Sequence, residues 1–203
     1  MENYQRKIQH EAIARGVKHL YHFTPLDNLP GIVAHGLLCR RTLHEPAYQA
    51  YAIDENRWDG RDDVVSVSIG GFDERLLKKR LYKSHHNEWV LLVLSPRILW
   101  ELPCEFCWIN ASKKDIKDYR GFRGGPWAFN EMFAGSDEQR EGLAPCQPTD
   151  PEAEVHVRAV IPADYIDRLI LHGPTLAARL QSMFPGLDMS QVTINENWCS
   201  LGR

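Results

Sequence analysis

Pro148-Thr-Asp-Pro-Glu-Ala-Glu-Val-His-Val157 is a turn-forming segment that runs into an apolar alternating stretch and delivers two carboxylates, Glu152 and Glu154, to the start of a strand. Side chains two apart on a strand share a face, so Glu152 and Glu154 are expected side by side while Ala153 and Val155 face the core. Paired carboxylates repel and desolvate one another unless a cationic ligand or a hydrogen-bonding substrate occupies the site, which points to chemistry. An outward-facing Glu-x-Glu on a solvated sheet face carries no such meaning, because exposed carboxylates cost little. What lies upstream decides between the two.

At 203 residues, with 43% hydrophobic and 25% charged content, the chain has the length and composition of one globular domain with a sizeable core, and a single domain over 1–203 is expected. The net charge of −3 supplies no global basic field, so any nucleic-acid binding has to be local. Five irregularly spaced cysteines and a polar start point to reduced thiols and a cytoplasmic location. No apolar run approaches the roughly 18 residues of a membrane span, so no membrane association is expected. Cys104-x-x-Cys107 lacks the two further ligands that zinc requires, so no metal is expected either. Its cysteines read as small buried groups on a strand.

Along the chain, an amphipathic helix is expected over 4–15, ended by Gly16, then a strand over 17–23. Asn28 reads as a helix cap before the apolar face of Leu29, Ile32 and Val33, which Gly36 ends. A long polar loop over 39–63 leads to a strand over 64–69 with Ser66 and Ser68 on one face, and a basic helix over 73–83 follows. Trp89-Val-Leu-Leu-Val-Leu94 reads as a central strand buried on both faces. Beyond it come a helical turn at 98–100, the cysteine strand, a loop over 111–126, a short helix over 127–133 and a polar loop over 135–150. After the Glu152/Glu154 strand, a turn over 161–166, a strand over 168–172, a helix over 176–183 and a strand over 191–194 are expected. The order predicts an α+β fold on a mixed sheet split in two, with flanking helices.

Three segments together resemble the ADP-ribosyltransferases, and more narrowly the DarT family of DNA ADP-ribosyltransferase toxins. They are Leu20-Tyr-His-Phe-Thr-Pro-Leu-Asp-Asn-Leu-Pro-Gly-Ile-Val-Ala-His-Gly-Leu38, Arg57-Trp-Asp-Gly-Arg-Asp-Asp-Val-Val-Ser-Val-Ser-Ile69, and Met132-Phe133 through Arg140 to Val155. The resemblance implies the split sheet of that superfamily, NAD⁺ as co-substrate, and transfer of its ADP-ribose to a base in single-stranded DNA. It also implies a partner antitoxin, an ADP-ribosyl hydrolase of macrodomain or NADAR type. Glu154 matches the family's catalytic glutamate and Arg57 its essential arginine, with Arg61 the second candidate for the pyrophosphate; a planar guanidinium fork suits phosphate oxygens. His22, Thr24, Asn28, Ser66 and Ser68 match positions that face NAD.

Where the family commonly carries glutamine, this chain has Glu152, which only accepts hydrogen bonds when ionised. The resulting Glu-x-Glu also resembles arginine-modifying transferases, so protein or RNA as acceptor stays open, as does a non-catalytic NAD-binding sensor. Arg140 lies in the loop where related enzymes present their acceptor. Lys113, Lys114, Lys117, Tyr119, Arg120, Phe122, Arg123 and Trp127 interleave basic and aromatic residues in the manner of a single-strand contact. The Ser-x-Ser strand and the 89–110 segment resemble the guanine-directed branch of the family more than the thymine-directed one.

Overall fold

Six consecutive apolar side chains leave Trp89–Leu94 no face to turn to water, and the strand they form, β3, is buried at every residue in the middle of the sheet. The computed structural model describes residues 3–45, 47, 48, 50, 59–71 and 88–195. Arg57 and the basic helix expected over 73–83 lie outside them. The other strands are β1 (Leu20–Pro25), β2 (Val65–Ile69), β4 (Cys104–Cys107), β5 (Glu154–Val157), β6 (Ile166–Leu171) and β7 (Val192–Ile194). They form one seven-stranded sheet in the order β4-β5-β2-β1-β3-β6-β7. It is mixed, since β6 and β7 run parallel and the other neighbours antiparallel.

The expected split survives as a waist. β1 meets β3 through six residue pairs, from Leu20↔Leu94 to Pro25↔Trp89. It meets β2 through only Leu20↔Ile69 and Tyr21↔Ser68. Beyond Tyr21 the two strands part, and the His22 Nδ1–H donates across the opening to the Ser66 carbonyl at 2.9 Å, replacing a ladder bond.

Alternation assigns the two faces. Leu20, Val65, Val67, Val90, Leu92, Phe106, Val155, Val157 and Leu171 line the main core. It is closed by α1 (Asn3–Ala14), α2 (Leu29–His35), α4 (Ile98–Glu101), α6 (Pro126–Glu131) and α8 (Pro174–Met183), while α3 (Arg40–Leu43), α5 (Lys114–Lys117) and α7 (Asp137–Arg140) are single turns. The opposite face changes character across the sheet. Under β3 and β6 it is apolar, with Trp89, Leu91, Val93 and Ile170 packed on Tyr21 and Phe23. Along β2, β5 and β4 it carries Ser66, His156, Glu154, Glu105 and Cys107, by the registers Ser66↔His156, Glu105↔His156 and Cys107↔Glu154.

One boundary departs from the sequence expectation for a local reason. Val17 does not open β1; its N–H closes α1 by bonding to the Ala12 carbonyl, and Gly16 takes the φ of +71° that this helix ending requires. At the outer strand, the Phe106 N–H donates to the Arg123 carbonyl at 3.0 Å, so the loop through Arg123 covers β4's free edge.

Phe106 is fully buried and meets Phe129 edge to face, with centroids 5.2 Å apart. Phe106→Ala is expected to cost about 3–5 kcal/mol. Urea denaturation would show this as a lower midpoint at an unchanged slope.

Candidate active site

Pro151 offers no N–H to a ladder, and Asp150 takes the next one: its Oδ1 accepts the Glu152 N–H at 2.8 Å and its carbonyl the Ala153 N–H at 3.0 Å. β5 therefore starts at Glu154, and Glu152 belongs to the turn before the strand rather than to the strand itself. Glu152 sits in the turn, 3.8 Å from the Lys113 ammonium, which also reaches Asp150 Oδ2 at 3.3 Å. Ala153 points into the core as expected.

Glu154 opens onto the polar face with its side chain 28% exposed. Its Oε1 accepts the Ala111 N–H at 3.4 Å, and its Oε2 lies 3.4 Å from His156 Nε2. Burial alone would raise its pKa, but the His156 imidazolium, the Ser66 hydroxyl and the Ala111 N–H outweigh it and hold the carboxyl at about 2, against a usual 4.5.

His156, which no sequence pattern singled out, is the partner that makes this possible. It stands two residues beyond Glu154 on the same strand face, and that spacing is the signal that would have found it. The ring is fully buried, with Nδ1 3.9 Å from Cys107 Sγ and Nε2 3.7 Å from Asp59 Oδ2. Burial disfavours its charge, yet contacts with Cys107 and Glu154 raise its pKa to about 9. The Nε2 contact is an ion-pair approach rather than an aimed hydrogen bond, and the buried Ser66 Oγ lies beside the same carboxyl.

His22 bonds the Ser66 backbone carbonyl at the waist, and by alternation with Tyr21 and Phe23 it stands on the other side of β1 from the Glu154 face. Thr24 and Asn28 are bonded to each other, Asn28 Nδ2 donating to Thr24 Oγ1 at 2.9 Å. The side chain of Asn28 thus makes no capping bond to α2, contrary to the capping expectation, because the buried Thr24 hydroxyl holds its amide. Ser68 lies opposite Tyr21 on the Glu154 face of β2.

Arg61 is already engaged. Its Nε donates to Asp63 Oδ1 at 2.7 Å and its Nη1 to Glu105 Oε2 at 2.9 Å, contacts that raise its pKa further. Arg123 shares that Glu105 oxygen at 2.7 Å and reaches Cys107 Sγ at 3.2 Å, while Arg158 lies 3.3 Å from Glu105 Oε1. Arg140 binds its own loop, donating to the Gln147 and Ala144 carbonyls and to Thr149 Oγ1 at 2.9–3.2 Å, so its guanidinium serves as a staple there. Around α5, Lys114, Lys117 and Arg120 are exposed beside an aromatic cluster in which Tyr119 stacks on the half-exposed Trp127 at 5.9 Å and Trp108 meets both edge on. Phe122, still more exposed, packs edge to face on Tyr4.

Cys104 and Cys107 point to opposite faces of β4: Cys104 Sγ donates to the Ile98 carbonyl at 3.3 Å, whereas Cys107 adjoins His156. Their three-residue spacing on a strand cannot present both thiols to one ion. No helix among the described residues is long and apolar enough to cross a membrane.

A seven-stranded mixed sheet with a waist, and a glutamate held as an anion beside it, place the molecule among the ADP-ribosyltransferase folds. The family model described as DarT, ssDNA thymidine ADP-ribosyltransferase, matches residues 21–199, and the chain belongs to the DarT family. Among solved structures it is similar to Thermus sp. 2.9 DarT in complex with carba-NAD⁺ (17% identity, TM-score 0.57, 89% of this chain and 97% of that one). It is similar to the same protein in complex with ADP-ribosylated ssDNA (19% identity, TM-score 0.57, 89% and 95%). It also resembles Thermosipho africanus DarTG in complex with ADP-ribose (13% identity, TM-score 0.63, 91% of this chain), of which it spans 51% of the length. No curated protein matches the chain.

The Glu154–His156 pair links stability to pH. The depressed glutamate stabilises the fold above pH 4.5 and ceases to do so as the pH falls through about 2. The raised histidine stabilises it below pH 6.5 and ceases to do so as the pH rises through about 9. The difference in unfolding free energy between wild type and Glu154→Gln is therefore expected to peak between pH 4.5 and 6.5 and to shrink on both sides, measured by urea titration across pH.

Proposed function

We propose that this chain, as a single catalytic domain in the cytoplasm, transfers ADP-ribose from NAD⁺ to a base in single-stranded DNA, with Glu154 as the catalytic carboxylate. The observation that carries the reading is a carboxylate held ionised at the start of β5 and partly open to solvent, with the Ser66 hydroxyl and the His156 ring beside it.

In this reaction the bond between the nicotinamide nitrogen and the ribose C1′ breaks, and its electron pair leaves with neutral nicotinamide. Positive charge develops on the ribose, a base nitrogen attacks C1′, and that nitrogen loses a proton. A fixed anion beneath the sugar lowers the energy of the cationic transition state. Held as an anion, Glu154 acts through its charge, and it can also accept the proton that the attacking base nitrogen sheds.

With Arg61 tied to Asp63 and Glu105, the pyrophosphate falls to Arg57 in this proposal, and Arg61 orders the segment before β2. The exposed lysines of α5, with Arg120 and Trp127, supply local positive charge and a stacking surface for the strand of DNA. Transfer to protein arginine is the poorer reading, because the first glutamate of Glu-x-Glu leaves the strand and already faces Lys113. The mark's removal by an antitoxin hydrolase, of macrodomain or NADAR type, completes the proposal and is supported by the family resemblance. Guanine is the base suggested by the Ser-x-Ser strand, whereas the matched family description names thymidine.

Glu154→Gln is expected to lower transfer from radiolabelled NAD⁺ to single-stranded DNA by about 10²-fold or more while NAD⁺ binding by calorimetry stays within a few-fold. Near wild-type labelling by this variant overturns the assignment, and label appearing on RNA or protein pools instead of DNA overturns the acceptor. Homopolymeric oligonucleotides report the base. Arg57→Ala is expected to raise the NAD⁺ KM, and Arg61→Ala to lower the unfolding midpoint.

A further inference from the structure

We infer that His156 is a positioning residue for this reaction: through its ring it fixes the Glu154 carboxylate in place and keeps it an anion. The inference rests on Glu154 being the catalytic carboxylate.

The geometry leaves the ring little freedom. It is enclosed within the sheet's polar face, flanked by Ser66 on β2 and Glu105 on β4 in register. Its Nε2 approaches Glu154 Oε2 to 3.4 Å and Asp59 Oδ2 to 3.7 Å, and its Nδ1 lies against the Cys107 thiol. The charged and titratable groups around it are thus Glu154 on its own strand, Cys107 and Glu105 on β4, and Asp59 ahead of β2. Arg61 bonds Glu105, and Arg123 bonds both Glu105 and Cys107.

Two acidic side chains therefore converge on one imidazole. Without a cation between them, a mostly enclosed carboxyl beside another acid keeps its proton to higher pH, and once neutral it offers nothing to an emerging ribosyl cation. A protonated His156 removes that competition from beneath, on the buried side, and leaves the open edge of Glu154 negative. Both oxygens are then restrained, Oε2 by His156 and Oε1 by the Ala111 N–H. Packing alone does not explain the residue. A buried ion pair is a poor source of stability compared with apolar side chains of similar volume, and the other face of β5 is filled by valines.

The test compares wild type with His156→Gln and His156→Phe, both first checked for folding by circular dichroism. Using transfer from radiolabelled NAD⁺ to single-stranded DNA, kcat at pH 7 is expected to fall about tenfold or more with the NAD⁺ KM within about twofold. The acid limb of the kcat profile is expected to move up by about 1–3 pH units once the cation is gone. A folded variant with wild-type kcat and an unmoved acid limb overturns the proposal. Should neither variant fold, NMR titration of the His156 ring in wild type and in Glu154→Gln decides: a lower midpoint in Glu154→Gln supports the coupling, and an unchanged midpoint overturns it. A Glu154→Gln protein that still transfers at the wild-type rate overturns the catalytic reading of Glu154, and this role with it, whatever the NMR coupling.

Discussion

Val155 and Val157 have no exposed surface, and their burial settles which face of the sheet the candidate carboxylate occupies. Strand alternation obliges Glu154 and His156 to share the opposite face once the valines enter the core. A slip of one residue would drive a carboxylate and an imidazole into a hydrocarbon environment and is strongly disfavoured. The position of the acid thus follows from the packing of its neighbours. Pairing with Ser66 on one side and with Glu105 and Cys107 on the other then surrounds it with polar atoms.

Around that strand, charge is distributed by pairing. Glu105 gathers Arg61, Arg123 and Arg158, and Asp63 holds Arg61 a second time. These contacts neutralise cations that a composition count would offer to a phosphate, and they order the polar half of the sheet. In a chain of net charge −3, the surface around α5 gathers Lys114, Lys117 and Arg120 as exposed cations among the described residues. In the proposed reaction, affinity for a strand of DNA draws on this small, screenable patch and on aromatic stacking.

Much of this was legible in the sequence. The apolar run 89–94 corresponds residue for residue to β3, because a strand buried on both faces needs no partner to declare itself. The place of Glu154 on its strand was legible as well, because Val155 and Val157 after it alternate into the core. Glu152 was misplaced because an Asx turn at Asp150 competes with the ladder for the same N–H, and alternation alone does not show which wins. Val17 was lost to a helix ending in the same way. The roles of Asn28, Arg61 and Arg140 rest on which hydrogen-bond acceptor each side chain finds. For Arg61 that acceptor is a glutamate 44 residues away, beyond the reach of local spacing. His156 went unnoticed because a histidine between valines reads as filler until its neighbour is known to be an acid.

The loop that carries Arg120, Phe122 and Arg123 also has a second duty. Through the bond from Phe106 to Arg123 it shields the last strand of the sheet, whose backbone would otherwise be a template for a foreign strand. Displacing that loop to admit a bulky guest would bare an adhesive border. The freedom of this basic segment is therefore limited by the need to keep the protein from sticking to its own kind.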